Sequence, residues 1–157
     1  MASPLFRVFL LVLVGCAAPG LRAQREKLPD EDLALVEKTW PNATKTSTGI
    51  RYVIQVEGSG EPARAGDLVS IIYAGRLIGG KVFDQNIDQA HPFTFRVGRG
   101  LVIEGWDQTL QQMKKGERRL VIIPPELAYG TRGSPPQIPR DSTLIFLIEV
   151  LDIKREE

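Results

Sequence analysis

The chain carries one thiol, Cys16, and one imidazole, His91, in 157 residues, so covalent and metal chemistry are narrowly bounded from the start. One Cys forms no intramolecular disulfide, and one Cys with one His cannot complete a four-ligand zinc site or a two-histidine metal helix. His91 precedes Pro92 in what reads as a solvated loop, and no Ser or Cys partner is evident for a nucleophile–base pair. Gly98, Gly100 and Gly105 miss the spacing of a dinucleotide-binding turn. Asp84, between Phe83 and a loop, reads by itself as a turn residue. The aromatic residues remain. Ile103, Trp106, Leu110 and Met113 fall on one helical stripe, and Phe93, Phe95 and Phe146 sit in strand-like runs; by spacing alone all of these are core.

The elements that would hold these residues follow from periodicity. Ile50, Tyr52, Ile54 and Val56 alternate with Arg51, Gln55 and Glu57, a half-buried strand closed by Gly58-Ser59-Gly60 and Pro62. A second run, 67–77, puts Val69, Ile71, Tyr73 and Leu77 on one face and ends at a Gly79-Gly80 turn. Val82-Phe83-Asp84 and a loop to Pro92 follow, then a short strand with Phe93 and Phe95 on one side. The period becomes helical over 102–113, with Glu104, Asp107, Gln108, Gln111 and Gln112 on the polar face. Lys114 and Lys115 suit the helix's negative end, and Gly116 suits its stop. Leu120-Val121-Ile122-Ile123, a Gly- and Pro-rich loop over 129–141 and a last strand over 143–153 complete the chain. Arg118-Arg119 beside Lys114-Lys115 reads as a small solvated basic patch. The fold class is therefore α+β: a twisted antiparallel sheet with a single short amphipathic helix on one face, since each element has one apolar side to hide.

Composition agrees with one soluble domain: 43% of residues are hydrophobic and 25% charged, with 20 Lys and Arg against 19 Asp and Glu. A net charge of +1 makes no electrostatic case for nucleic acid. The first residues are set apart. One charge at Arg7 and the unbroken apolar run 8–14 end in small residues, the pattern of a secretory signal peptide, and the run is far short of the roughly 20 residues that span a bilayer. Residues 1–23 are the expected signal, with cleavage after Ala23. Alternatively the signal is 1–15, because Leu13-Val14-Gly15-Cys16 resembles a bacterial lipobox in which Cys16 is lipidated. The second route is preferred, and it holds only for a bacterial chain. Residues 24–47 read as a polar tether with a short helix capped by Asp30, running through Leu33, Val36 and Thr39 and stopped by Pro41.

Taken together, Tyr73-Ala74-Gly75, Val82-Phe83-Asp84, Val102-Ile103-Glu104-Gly105-Trp106, Lys115-Gly116-Glu117, Ile123-Pro124-Pro125-Glu126-Leu127-Ala128-Tyr129-Gly130 and Leu144-Ile145-Phe146 are similar in order and spacing to FKBP-type peptidyl-prolyl isomerases. The resemblance spans residues 48–154 and identifies 48–157 as the domain. It implies an antiparallel sheet half wrapped around a short helix, with an apolar pocket between them. It also implies Trp106 at the pocket floor, Tyr73, Phe93 and Phe146 as walls, Phe83 beside the substrate, and Val102, Ile103 and Ile138 at the rim. The Tyr129 hydroxyl and the Ile103 N–H resemble the groups that bind substrate carbonyls, and Asp84 the carboxylate facing the twisting amide, oriented by Tyr73.

The implied activity is cis/trans rotation of X-Pro bonds in exported proteins, with no cofactor and no metal. The alternative is a non-catalytic module or chaperone that holds proline segments or rapamycin-class macrolides. Expected partners are proline-containing polypeptides and such macrolides, with membrane contact only through a lipid anchor at Cys16. The expected location is periplasmic or cell-envelope. Residues 129–143 are too few for an inserted chaperone lobe and the tether too short for a dimerisation arm, so a monomer is expected. Gln89 departs from the family pattern, standing where many members carry an Arg that pairs with the pocket Asp. Ser134 and Gln137 also depart from it.

Overall fold

The alternation over 67–77 becomes the strand Leu68–Leu77, which pairs with three other strands of the sheet. The computed structural model describes residues 26–155; the expected signal region, with Cys16, lies outside them. The elements in chain order are α1 (Asp30–Thr39), β1 (Thr44–Lys45), β2 (Arg51–Val56), β3 (Leu68–Leu77), β4 (Val82–Asn86), β5 (Phe93–Arg96), α2 (Glu104–Leu110), β6 (Arg118–Ile123), a 3-10 turn (Pro125–Leu127) and β7 (Leu144–Lys154). The sheet has seven strands in the order β1-β2-β6-β7-β3-β4, with β5 also on β3. Every pairing is antiparallel. The free edge of β3 is shared, its first half pairing β5 and its second half pairing β4. The loop between those two strands therefore leaves the sheet at mid-edge, beside Tyr73.

One face of the sheet presents Val69 and Ile71 of β3, Val121 and Ile123 of β6, and Leu144, Phe146, Ile148 and Val150 of β7 to the α2 segment, where Trp106, Leu110 and Met113 are buried. This is the predicted amphipathic packing, and each such side chain contributes roughly 1.5–3 kcal/mol by leaving water. Close approach of α2 depends on Gly105: a Cβ there would lie 2.5 Å from Cγ2 of Ile123.

The opposite face differs from expectation, because a second helix covers part of it. Leu28 and Val36 pack on Ile122 and Ile145, with Leu33, Trp40, Ile78 and Leu120 around them. The segment expected to be a tether is docked. Its helix is preceded by Pro29, not capped by Asp30; Asp30, Glu31 and Asp32 instead fill the first turn, where acidic residues suit the helix dipole. Polar pairs secure the dock: Arg51 and Lys45 donate to the Glu26 carboxylate at 2.8–3.0 Å, and the Thr143 hydroxyl donates to Asp32 at 2.6 Å. The Arg51 guanidinium holds the Glu26 carboxyl well below the usual carboxylate range against the opposing effect of burial. Arg119, expected on a solvated basic patch, is buried against Glu117. Among the described residues no helix is long and apolar enough to cross a membrane.

Candidate active site

Burial of the α2 stripe brings one large side chain up beneath the split edge of β3. Trp106 is 5% exposed, and its indole is boxed edge-on by Tyr73 at 4.8 Å and 77° and by Phe146 at 5.1 Å and 78°. Phe93 closes a third side at 6.2 Å, and Phe83 stands edge-on to Phe146 at 5.6 Å and 88°. Edge-to-face contacts hold such rings in place beyond what area burial supplies. Above the indole is a hollow of about 200 Å³, lined by Tyr73, Phe83, Asp84, Phe93, Leu101, Val102, Ile103, Trp106, Tyr129 and Phe146. That is less than the roughly 300–1,000 Å³ of drug-sized sites. It suits one ring or side chain rather than an extended cofactor.

Nine of the ten expected site residues thus meet in one place. The exception is Ile138, expected at the rim: it is 4% exposed and belongs to the core cluster. Its loop folds back through paired hydrogen bonds between the Ser134 and Ile138 backbones, at 2.8 and 2.9 Å, which draws the side chain inward. The hollow also includes Leu101, which nothing in the sequence marks and which stands 65% exposed at the mouth. Neither Gln89, Ser134 nor Gln137 lines it.

Polar groups at the site are few. The Tyr73 hydroxyl donates to Oδ2 of Asp84 at 2.7 Å. Burial pushes the Tyr73 phenol well above its ordinary range, and the hydrogen bond to Asp84 and its charge push the same way. The Tyr129 phenol is raised by burial first and then by the Asp84 charge. Both hydroxyls therefore stay protonated as donors through the physiological range. Among the described residues Asp84 has no ion-pair partner, and no group of three or more His, Cys, Asp or Glu residues could hold a metal ion.

The segment carrying Leu101, Val102 and Ile103 is held by a residue expected to be solvated. Asp107 is buried, and its two carboxylate oxygens accept the backbone N–H groups of Gly98 and Gly100, each at 2.8 Å. Charge-assisted bonds of this kind are among the stronger ones in proteins. They fix the approach of the chain into α2, so that the N–H of Ile103 and the side chains on either side of it are set against the floor. The two glycines three and one residues before Leu101 are the sequence signal for a tightly wound loop here; the acceptor four residues after Ile103 carries no such mark.

Comparison with known proteins agrees with this arrangement. A family model described as FKBP-type peptidyl-prolyl cis-trans isomerase matches residues 59–151. The chain is 48% identical over 93 residues to the mouse protein "Peptidyl-prolyl cis-trans isomerase FKBP2", covering 59% of this chain and 66% of that one. It is 43% identical over 124 residues to "FK506-binding protein 2" of Yarrowia lipolytica, covering 79% and 86%. The chain thus spans about two thirds of the mouse relative's length and more of the yeast one's. Among solved structures, a peptidyl-prolyl cis-trans isomerase from Pseudomonas syringae superposes with a TM-score of 0.70 at 31% identity, covering 80% of this chain and 92% of that one. With its motif segments matched and its aromatic hollow built between α2 and the sheet, the chain belongs to the FKBP-type peptidyl-prolyl cis-trans isomerase family.

Proposed function

We propose that this chain catalyses cis/trans rotation of X-Pro bonds in polypeptides whose proline ring enters the hollow over Trp106. The observation that carries this is the combination of an aromatic floor and walls with only two phenol donors and one carboxylate. An X-Pro amide rotates over a barrier of about 18–20 kcal/mol set by partial double-bond character. In the twisted state that resonance is lost and charge separation in the amide falls. An apolar, water-excluding site therefore binds the twisted form better than the planar one. Each tenfold acceleration needs about 1.36 kcal/mol of that preference. No nucleophile, cofactor or metal enters the step.

In this reading Trp106, Phe93 and Phe146 receive the ring, with Val102 flanking it, and Phe83 shields the amide. The Tyr129 hydroxyl and the Ile103 N–H bind the flanking carbonyls, while Asp84, oriented by Tyr73, faces the rotating bond. The purified chain is expected to speed isomerisation of a short X-Pro peptide in a protease-free assay, and an FK506-class macrolide, the ligand named for the yeast relative, is expected to compete. Equal rates with and without the protein refute the activity; rates untouched by a macrolide leave the activity and remove that ligand.

We further propose that the chain is exported and acts on exported proteins in the periplasm or cell envelope as a monomer, with Cys16 lipidated where a bacterial processing system is available. The apolar run 8–14, followed at once by Gly15 and Cys16, supports this. Intact mass of the purified protein tests it: a chain beginning at Cys16 with added acyl mass is expected, and a chain beginning at Gln24 with none removes the anchor.

A further inference from the structure

We infer that the site favours proline segments carrying a Lys or Arg directly beside the proline. This rests on the isomerase reading above. Of the ten residues lining the hollow, Asp84 is the one Asp, Glu, Lys, Arg or His. Its single hydrogen bond among the described residues comes from the neutral Tyr73 hydroxyl, at 2.7 Å. Among the described residues no Lys or Arg pairs with it. The segment following it, Gln85-Asn86-Ile87-Asp88-Gln89-Ala90-His91, contains no Lys or Arg, and its one other carboxylate, Asp88, is taken up by His91 at 2.8 Å.

The cations on neighbouring segments are directed elsewhere or have no contact with Asp84. Arg140 donates to the Thr131 carbonyl at 2.8 Å, and Arg99 lies against Gly66. Glu104, at the start of α2, is bonded by Gln108 at 2.8 Å. The phenols facing the carboxylate give the same picture, since the Asp84 charge raises both Tyr73 and Tyr129 and no cation is among the groups acting on either. Asp84 is exposed and borders the hollow on one side; an uncompensated anion with one apolar flank attracts a cation more strongly than one surrounded by water, by an amount that salt reduces. The residue on either side of a seated proline has its Cα about 3.8 Å from the proline Cα. A Lys or Arg side chain on that residue is long enough to reach the Asp84 carboxylate while the ring stays in place.

The test compares peptides identical except beside the proline, with Lys, norleucine or Glu placed before it and, in a second set, after it. With the full chain in a protease-free assay at low salt, the Lys peptide of at least one set is expected to show a kcat/KM roughly twofold to tenfold above norleucine, and Glu to fall below norleucine. The order is expected to collapse toward equality as salt approaches molar concentration, where the Debye length falls to about 3 Å. Asp84→Asn, which keeps an acceptor for Tyr73, is expected to abolish the order among the three peptides. Equal values for Lys and norleucine in both sets, or a Lys preference indifferent to salt, overturn this inference and leave the isomerase reading standing. No turnover of any peptide overturns both.

Discussion

A Glu117→Ala variant is expected to lose about 3–5 kcal/mol of folding stability, because it strands a buried cation. Glu117 is 2% and Arg119 4% exposed. The carboxylate accepts Nε of Arg119 at 2.6 Å and the backbone N–H of Lys114 at 3.1 Å. The guanidinium is also stacked 4.2 Å over the Tyr52 ring. The pair thus joins the turn after α2 to β6 and β2, and the Glu117 backbone is itself bonded to Val150 of β7. Removing one partner leaves a desolvated charge, whereas removing both leaves a lost packing contact, an unpaired Lys114 N–H and a Gln112 carbonyl without its long bond from Arg119. The double variant Glu117→Ala/Arg119→Met is therefore expected to lose less than the sum of the two single losses, by 1 kcal/mol or more on the scale of contacting pairs. Chemical denaturation measures both, with the midpoint falling at unchanged slope. Additive losses would mean the two groups do not interact. Neither residue lines the hollow, so peptide turnover well below the lowered melting temperature is expected to be unchanged.

That pair also shows where reading the residues alone stops. The strands and α2 were legible because their apolar residues keep a period: Val69, Ile71 and Tyr73 alternate, and Ile103, Trp106, Leu110 and Met113 share a helical face. Those two periods carry three of the residues lining the hollow, Tyr73, Ile103 and Trp106. Asp107, Glu117 and Arg119 have types that favour solvent, and nothing local announces that each finds its partner inside. For Asp107 the partners are backbone amides of Gly98 and Gly100, for Arg119 the ring of Tyr52. Ile138 sits in a loop without period, so its inward turn could not be read from spacing. The docking of α1 did leave a trace. Leu120-Val121-Ile122-Ile123 and Leu144-Ile145-Phe146-Leu147-Ile148 are apolar without alternation, the mark of strands covered on both faces. One helix could cover only one of those faces, and the segment that covers part of the other is the one that looked like a tether.

A Gly75→Ala variant is expected to fold and yet to turn over X-Pro peptides on the order of tenfold to a hundredfold more slowly. Gly75 lies in β3 between Asp84 of β4 and Phe146 of β7. Its backbone is of the kind any residue adopts in a strand, so the obstacle is space. A Cβ there would lie 2.5 Å from Cε1 of Phe146 and 2.8 Å from Cζ of Phe83. Phe146 is buried and boxed against Trp106, so it has little room to yield. Phe83 is half-buried at the mouth and moves instead, opening the wall beside Asp84 to water. Water at that wall would hydrate the polar planar amide better than the twisted one, cutting the preference on which the rate depends. Overpacking of this kind costs about 1–3 kcal/mol, a modest fall in melting temperature that separates lost activity from lost fold. Gly79→Ala is the control, since a Cβ at Gly79 would meet nothing within 4 Å and both stability and turnover should be unchanged. A Gly75→Ala protein with full kcat/KM would mean that Phe83 and Phe146 do not enclose the rotating bond, and the catalytic wall would have to be sought on the Leu101 and Tyr129 side of the hollow.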